Sequence, residues 1–280
     1  MKSLKKILSL SLIILNIFIS VPFALTTDNL ESYYSCDNYS YASFALTNDN
    51  LELNWYFVKR EQGKTPEAPK ESISFLKDCD GFYVGDTNSK VVYLTFDQGY
   101  ENGNTNIILD TLKEEDIKAA FFVVKPYIKQ EGEIVKRMVD EGHLVCNHSS
   151  HHPSMASIRD KDKFKLEFTE VEEEFKNLTG KDMPKYFRPP MGKYSKFSLN
   201  ETKNLGYKTI FWSFAYKDWL RDDQPSESYA TEKILNGVHP GAIILLHSVS
   251  STNTKILKNI IKELKNQGYE FKTLDELPTA

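Results

Sequence analysis

Val91-Val92-Tyr93-Leu94-Thr95-Phe96-Asp97-Gln98-Gly99-Tyr100 is a β-rich apolar run that stops at an acid. Val91 to Phe96 has the β-branched and aromatic content of a strand buried on both faces, as in a parallel sheet. Asp97 falls where such a strand meets solvent, just before Gly99. An acid placed there is a candidate for chemistry.

Outward from this stretch, short apolar runs alternate with longer segments of helical period, which predicts repeated β-α units around a parallel sheet. Strands are expected at 91–97, 119–124, 143–147, 185–188, 208–214, 242–247 and 269–274. Helices are expected at 104–115, 126–141, 157–178, 198–205, 226–236 and 254–266, several of them stopped by Gly142, Gly180, Gly206 or Gly268. Seven strands are enough to curl into a distorted (β/α) barrel. Upstream, 55–58 reads as a short strand and 71–76 as a short helix.

The 280 residues are 40% hydrophobic, sufficient for one domain of roughly 200–250 residues and an appendage. A formal net charge of -4 with scattered lysines offers no basic block, so no nucleic-acid partner is expected. Residues 1–25 carry Lys2, Lys5 and Lys6 ahead of an apolar run, the order of a secretory signal or of an uncleaved membrane anchor, so the protein is expected outside the cytoplasm. Residues 26–84 read as a connector and N-terminal extension packed on the barrel, and 85–280 as the catalytic domain. Three cysteines define no disulfide framework. A Cys36–Cys79 bridge stays open, and Cys146 reads as a small buried hydrophobe.

Five residues with complementary chemistry fall at or just after strand ends: Asp97, His148, Arg188, Asp218 and His247. Parallel barrels build their sites on that shared face. His148 and His152, four apart in Asn147-His148-Ser149-Ser150-His151-His152-Pro153, would meet on one side of a helical turn and could share a divalent ion, with His151 pointing away. Arg188, ahead of Pro189 and Pro190, could hold a carboxylate ionised through a forked hydrogen bond. Asp218 could fix the tautomer of His247, leaving its other nitrogen to donate a proton.

Thr95-Phe96-Asp97-Gln98, His148 to His152, Arg188-Pro189-Pro190, Asp218-Trp219 and Leu245-Leu246-His247 resemble the ordered motifs of the NodB-type polysaccharide deacetylases, over about residues 85–275. The sequence is most similar to the delta-lactam-biosynthetic de-N-acetylases of spore-forming bacteria, sharing the Thr95 to Gly103 and His148 to Pro153 forms. The resemblance implies hydrolysis of the acetamide of N-acetylmuramic acid in peptide-stripped peptidoglycan, a step toward the muramic delta-lactam of spore cortex, by a monomer acting on glycan strands. It implies Asp97 as general base, Arg188 as its tuner, His247 as general acid and Asp218 as its positioner. One divalent ion is implied, zinc first, with manganese or magnesium as alternatives, on His148, His152 and Gln98. Tyr100, Pro189, Pro190, Trp212 and Trp219 are the implied substrate contacts.

Two departures from the family pattern stand out. Ala215 occupies a position where most members carry an acid, and Gln98 stands where most have a metal-binding Asp. With Gln98 as a neutral third ligand, weaker metal binding is expected, and Gln98→Asp is expected to tighten it. The alternatives are a non-catalytic carbohydrate-binding relative, a de-N-acetylase of N-acetylglucosamine polymers, and a barrel glycosidase using Asp97 and Asp218.

Overall fold

A computed structural model of the chain describes residues 48–278. The strands are β1 (Leu53–Asn54), β2 (Gly81–Phe82), β3 (Val91–Gln98), β4 (Ala120–Val123), β5 (Leu144–Asn147), β6 (Tyr186–Phe187), β7 (Lys193–Tyr194), β8 (Lys208–Ile210), β9 (Ala242–His247) and β10 (Glu270–Lys272). The helices are α1 (Thr105–Glu114), α2 (Lys125–Gln130), α3 (Gly132–Asp140), α4 (Lys161–Thr179), α5 (Lys196–Asn204), α6 (Glu227–Gly237) and α7 (Ser251–Asn266). All seven strands expected from the sequence are present and pair in parallel.

The sheet runs β10-β3-β4-β5-β6-β8-β2, with β9 on the other side of β3. It curls until the chain after β8 meets β9: Leu245 N–H donates to Phe214 O at 2.9 Å and Ser213 N–H to Ile243 O at 3.1 Å. That bridge explains why the strand expected over 208–214 is hydrogen-bonded as a strand only to Ile210, with Phe214 rejoining the sheet as a lone parallel partner of Ile244.

Side-chain alternation divides the core in two. Val92, Leu94 and Phe96 of β3 pack outward with Phe121, Val123, Ile244 and Leu246 beneath the helices. Val91 and Tyr93 point inward with Phe122, Cys146, Ile210 and Ile243. Strand geometry then requires Thr95 and Asp97 to continue the inner row and Gln98 the outer one.

Several local expectations are corrected. The helix expected over 126–141 is two helices broken at Glu131. Residues 71–76 form turns, tied by Leu76 N–H to Ser72 O at 2.8 Å. The short strand lies at Leu53–Asn54 rather than 55–58 and pairs antiparallel with β7. The N-terminal extension also contributes β2, which pairs parallel with β8 and was not foreseen because Gly81-Phe82 carries no periodic signal. Trp55 stacks on Phe211 at 4.1 Å between ring centres and donates its indole N–H to Trp212 O at 2.9 Å, so this extension braces one wall of the barrel mouth. Cys79 and Cys146 are buried free thiols, while Cys36 and the 1–25 segment lie outside the described residues.

Candidate active site

The β3–β9 register places Asp97 and His247 directly opposite each other at the barrel's C-terminal face. Further round, Gln98 pairs with Val123, Val123 with Asn147 and Asn147 with Phe187, so His148 and Arg188 each emerge one residue past aligned strand ends. Four separate stretches of sequence therefore converge because a single sheet register carries them, whereas Asp218, expected just after a strand end, lies in the loop beyond Phe214 and is brought in by its hydrogen bonds to His247.

Arg188 is fully buried. Its Nη1 donates to Asp97 Oδ1 at 2.8 Å, its Nη2 to Thr95 Oγ1 at 2.9 Å and its Nε to Ile210 O at 3.1 Å, with the guanidinium carbon 4.1 Å from the Phe122 ring centre. The fork expected on one carboxylate is thus split between Asp97 and Thr95. The Thr95 hydroxyl donates onward to Ile244 O at 2.7 Å, so Thr95 supports Arg188, a role that a strand threonine does not signal in sequence. Burial alone would raise the Asp97 pKa, but Arg188, followed by His148 and His247, outweighs it and holds the carboxyl below its ordinary range. Asp97 is a carboxylate at neutral pH.

Asp218, also buried, accepts at Oδ1 from His247 Nδ1 at 2.7 Å, and at Oδ2 from the His247 backbone N–H at 2.8 Å and from Asn253 Nδ2 at 2.6 Å. This fixes the proton on Nδ1 and turns Nε2 toward the cleft. Burial opposes charging of His247, yet the hydrogen bond and charge of Asp218, with Asp97 adding to them, raise its pKa. Asn253, in the first turn of α7, was missed from sequence because an Asn near a helix start reads as capping.

His148 donates Nδ1–H to Arg188 O at 2.8 Å, leaving the Nε2 lone pair 3.6 Å from Asp97 Oδ2. Burial holds it neutral, with its pKa lowered to about 4 despite Asp97. Burial also lowers the pKa of His152. The two rings lie 4.9 Å apart, centre to centre. They meet without a helical turn. Positive φ at Ser149 (71°) and His152 (57°), with the Ser149 hydroxyl accepting the His152 N–H at 2.9 Å, folds the chain back instead. His151 is exposed and bound to Glu167 at 2.9 Å.

Gln98 is placed differently from the expectation. It is fully buried on the helix side of β3, where its Nε2 donates to Thr105 Oγ1 at 3.2 Å and Tyr127 Oη at 3.4 Å. Both hydroxyls donate hydrogen bonds to Glu101, which also accepts the N–H groups of Asn104 and Thr105 at the start of α1. Here period-two alternation is kept to the end of the strand: Asp97 faces in and Gln98 continues the outer row. The donor chemistry of His148 and His152, two neutral imidazoles beside an ionised carboxylate, suits a borderline cation such as zinc. Gln98 Oε1 has no hydrogen-bond partner in its buried pocket, but its amide is anchored on the wrong side of the strand to join them. Among the described residues, no group of three His, Cys, Asp or Glu side chains is arranged to hold one ion.

Asp97, His148, His152 and His247 open into a cleft of about 830 Å³ walled mainly by apolar groups, including Tyr100, Met191, Trp212, Ala215, Trp219 and Leu245. Tyr100 and Trp219 are exposed at its rim, the Trp219 ring centre 5.6 Å from that of His247. Pro189 and Pro190 are buried and do not line the cleft; they fix the loop, and Met191 and Gly192 after them form the wall. Gly192 is required there: its φ is +64°, and a Cβ would come within 2.9 Å of the Trp212 ring.

Comparisons with known proteins agree with this fold. Residues 84–210 match the family described as "Polysaccharide deacetylase". The chain is 48% identical over 225 residues to an uncharacterized 30.6 kDa protein of Geobacillus stearothermophilus, covering 80% of this chain and 84% of the relative. It is 44% identical over 225 residues to the peptidoglycan-N-acetylmuramic acid deacetylase PdaA of Bacillus subtilis, covering 80% and 85%. The solved structure of Bacillus subtilis PdaA, a family 4 carbohydrate esterase, superposes with a TM-score of 0.79 over 81% of this chain and 97% of that one, at 43% identity. The curled parallel barrel is therefore the fold of that family, and the chain belongs to the polysaccharide deacetylases, hydrolases of amide bonds.

Proposed function

We propose that the protein removes acetate from N-acetylmuramic acid residues of peptidoglycan whose peptides have already been stripped. The observation that carries this reading is a register pair of two facing groups whose pKa values are pushed toward their charged forms, the Asp97 carboxyl downward and the His247 imidazole upward. A base and an acid pushed apart in this way can divide the two proton transfers of amide hydrolysis between them.

The acetamide enters the cleft with its methyl among Leu245, Trp212 and Trp219. Asp97 takes a proton from water as that water adds to the acetyl carbon. His247 gives its Nε2 proton to the departing nitrogen as the carbon–nitrogen bond breaks, leaving acetate and a free amine. Asp218 stabilises the imidazolium and, with Asn253, holds its orientation. Arg188 keeps Asp97 ionised until it acts. A divalent ion held by His148 and His152, zinc by their donor chemistry, would polarise the acetyl carbonyl and the oxyanion formed from it.

The apolar wall suits the acetyl group, and the similarity to PdaA supports the muramic residue over N-acetylglucosamine. The freed amine can then close on the lactyl carboxyl as a delta-lactam, which is impossible while the acetyl blocks the nitrogen. Such a substrate places the enzyme at the cell wall or spore envelope. Among the described residues no helix is long and apolar enough to cross a membrane. The test is acetate release from peptide-stripped glycan by the wild type and by Asp97→Asn. Acetate from the wild type alone supports the reading, whereas new reducing ends without acetate would replace it with a glycosidase.

A further inference from the structure

Among the described residues, Arg221 is the cation at the cleft rim that makes no ion pair. Three lysines adjoin residues of the cleft wall and each is paired: Lys125 with Glu170, Lys193 with Glu52 at 2.8 Å, and Lys217 with Asp223 at 2.8 Å. Arg221, next to wall residue Leu220, has no carboxylate within ion-pair distance among the described residues, its neighbour Asp222 included. Its guanidinium instead lies 5.6 Å from the ring centre of Tyr100, a wall residue, which steadies it by a cation–π contact while leaving its donors free.

The position fits the chemistry of the proposed substrate, on which this inference rests. Arg221 follows wall residue Leu220 and packs over wall residue Tyr100, which places it at the rim of the cleft that holds the acid–base pair. In muramic acid the lactyl carboxyl must lie near the acetamide nitrogen, because the two can close into a six-membered lactam. The geometry points to Arg221 as the residue that reads the free lactyl carboxylate, donating paired N–H bonds to it while the acetamide occupies the cleft. Recognition of this kind requires prior removal of the peptide: an attached peptide turns the carboxylate into a neutral amide, which leaves Arg221 without its partner. Arg221 thus sets specificity, and a reaction that cleaves the lactyl–peptide amide must come first.

The test compares acetate release from peptide-stripped glycan with release from the same glycan after its lactyl carboxyls are converted to methyl amides. For a charge-assisted contact at a half-exposed rim, the wild type is expected to show about a tenfold lower KM on the free carboxylate, a preference that fades with salt. Arg221→Gln should bring the two KM values together with kcat on the methyl amide unchanged, and Arg221→Lys should keep part of the preference. An undiminished preference in Arg221→Gln overturns the inference while leaving deacetylation standing. If the wild type releases acetate from neither glycan, the functional reading fails separately. Calorimetric binding of the two glycans to wild type and Arg221→Gln then decides the inference, equal affinities for the stripped glycan overturning it.

Discussion

Asp97 and His247 sit opposite each other in the β3–β9 ladder, and the pKa of each is pushed toward its charged form by a second residue that is itself buried, Arg188 for the acid and Asp218 for the imidazole. Neither supporting residue lines the cleft. Their substitution should therefore move the titration of the reacting groups more than it disturbs substrate contacts.

Asp218→Asn removes the charge that raises the His247 pKa. His247 must be protonated to act as an acid, so activity is present below its pKa and is lost as pH rises through it. The variant is expected to move the alkaline limb of the kcat profile to lower pH and to cut kcat by on the order of 10²–10⁴. A profile with an unmoved alkaline limb would assign the acid to another group.

Arg188→Met leaves Asp97 buried without its main counter-charge. The Asp97 pKa should rise, and because the base works only when ionised, the acid limb should move to higher pH. Thr95 Oγ1 and Ile210 O also lose their donor, so chemical denaturation should show a loss of about 3–5 kcal/mol. Arg188→Lys, which keeps the charge, should return part of the pH shift but little of the stability.

Motif position alone would have Gln98→Asp tighten metal binding, whereas the placement of Gln98 on the helix side of β3 leads to a different prediction. The shorter, charged side chain would be buried beside Glu101 among Thr105 and Tyr127, on the helix side of β3. Zinc affinity measured by calorimetry should stay within about twofold, while stability falls by several kcal/mol from burying an unpaired charge. His148→Ala and His152→Ala should each weaken zinc by about tenfold or more. Chelation should abolish acetate release, with zinc restoring it.

Much of the site was legible because parallel strands end in register: a polar residue after each apolar run had to reach the same face, which placed Asp97, His148, Arg188 and His247 correctly. The helices were legible because each buries an apolar face of helical period against the sheet. What the sequence did not carry was contact made across the chain. Thr95 and Asn253 read as an ordinary strand threonine and a capping asparagine until Arg188 and Asp218 were seen against them. The histidine pair was found for the wrong geometric reason, since left-handed residues at Ser149 and His152, neither of them glycine, leave no mark in the pattern. Gln98, expected as a ligand from its motif position, is placed here on the outer row that the alternation Val92-Leu94-Phe96-Gln98 traces in the sequence.

Gly192→Ala tests the loop that Pro189 and Pro190 fix. A methyl group at φ +64°, within 2.9 Å of the Trp212 ring and 3.2 Å of the Trp55 side chain, must displace the wall that these aromatics form. The expected outcome is a stability loss of about 1–3 kcal/mol and a raised KM with a smaller change in kcat, read from denaturation and steady-state acetate kinetics.

The central claim is tested most directly by mass spectrometry of peptide-stripped glycan treated with the enzyme and then digested to disaccharides. The account predicts fragments lighter by one acetyl group, with the free amine on the muramic residue. Loss of acetyl from the glucosamine residue instead, or fragments of unchanged mass, would contradict it.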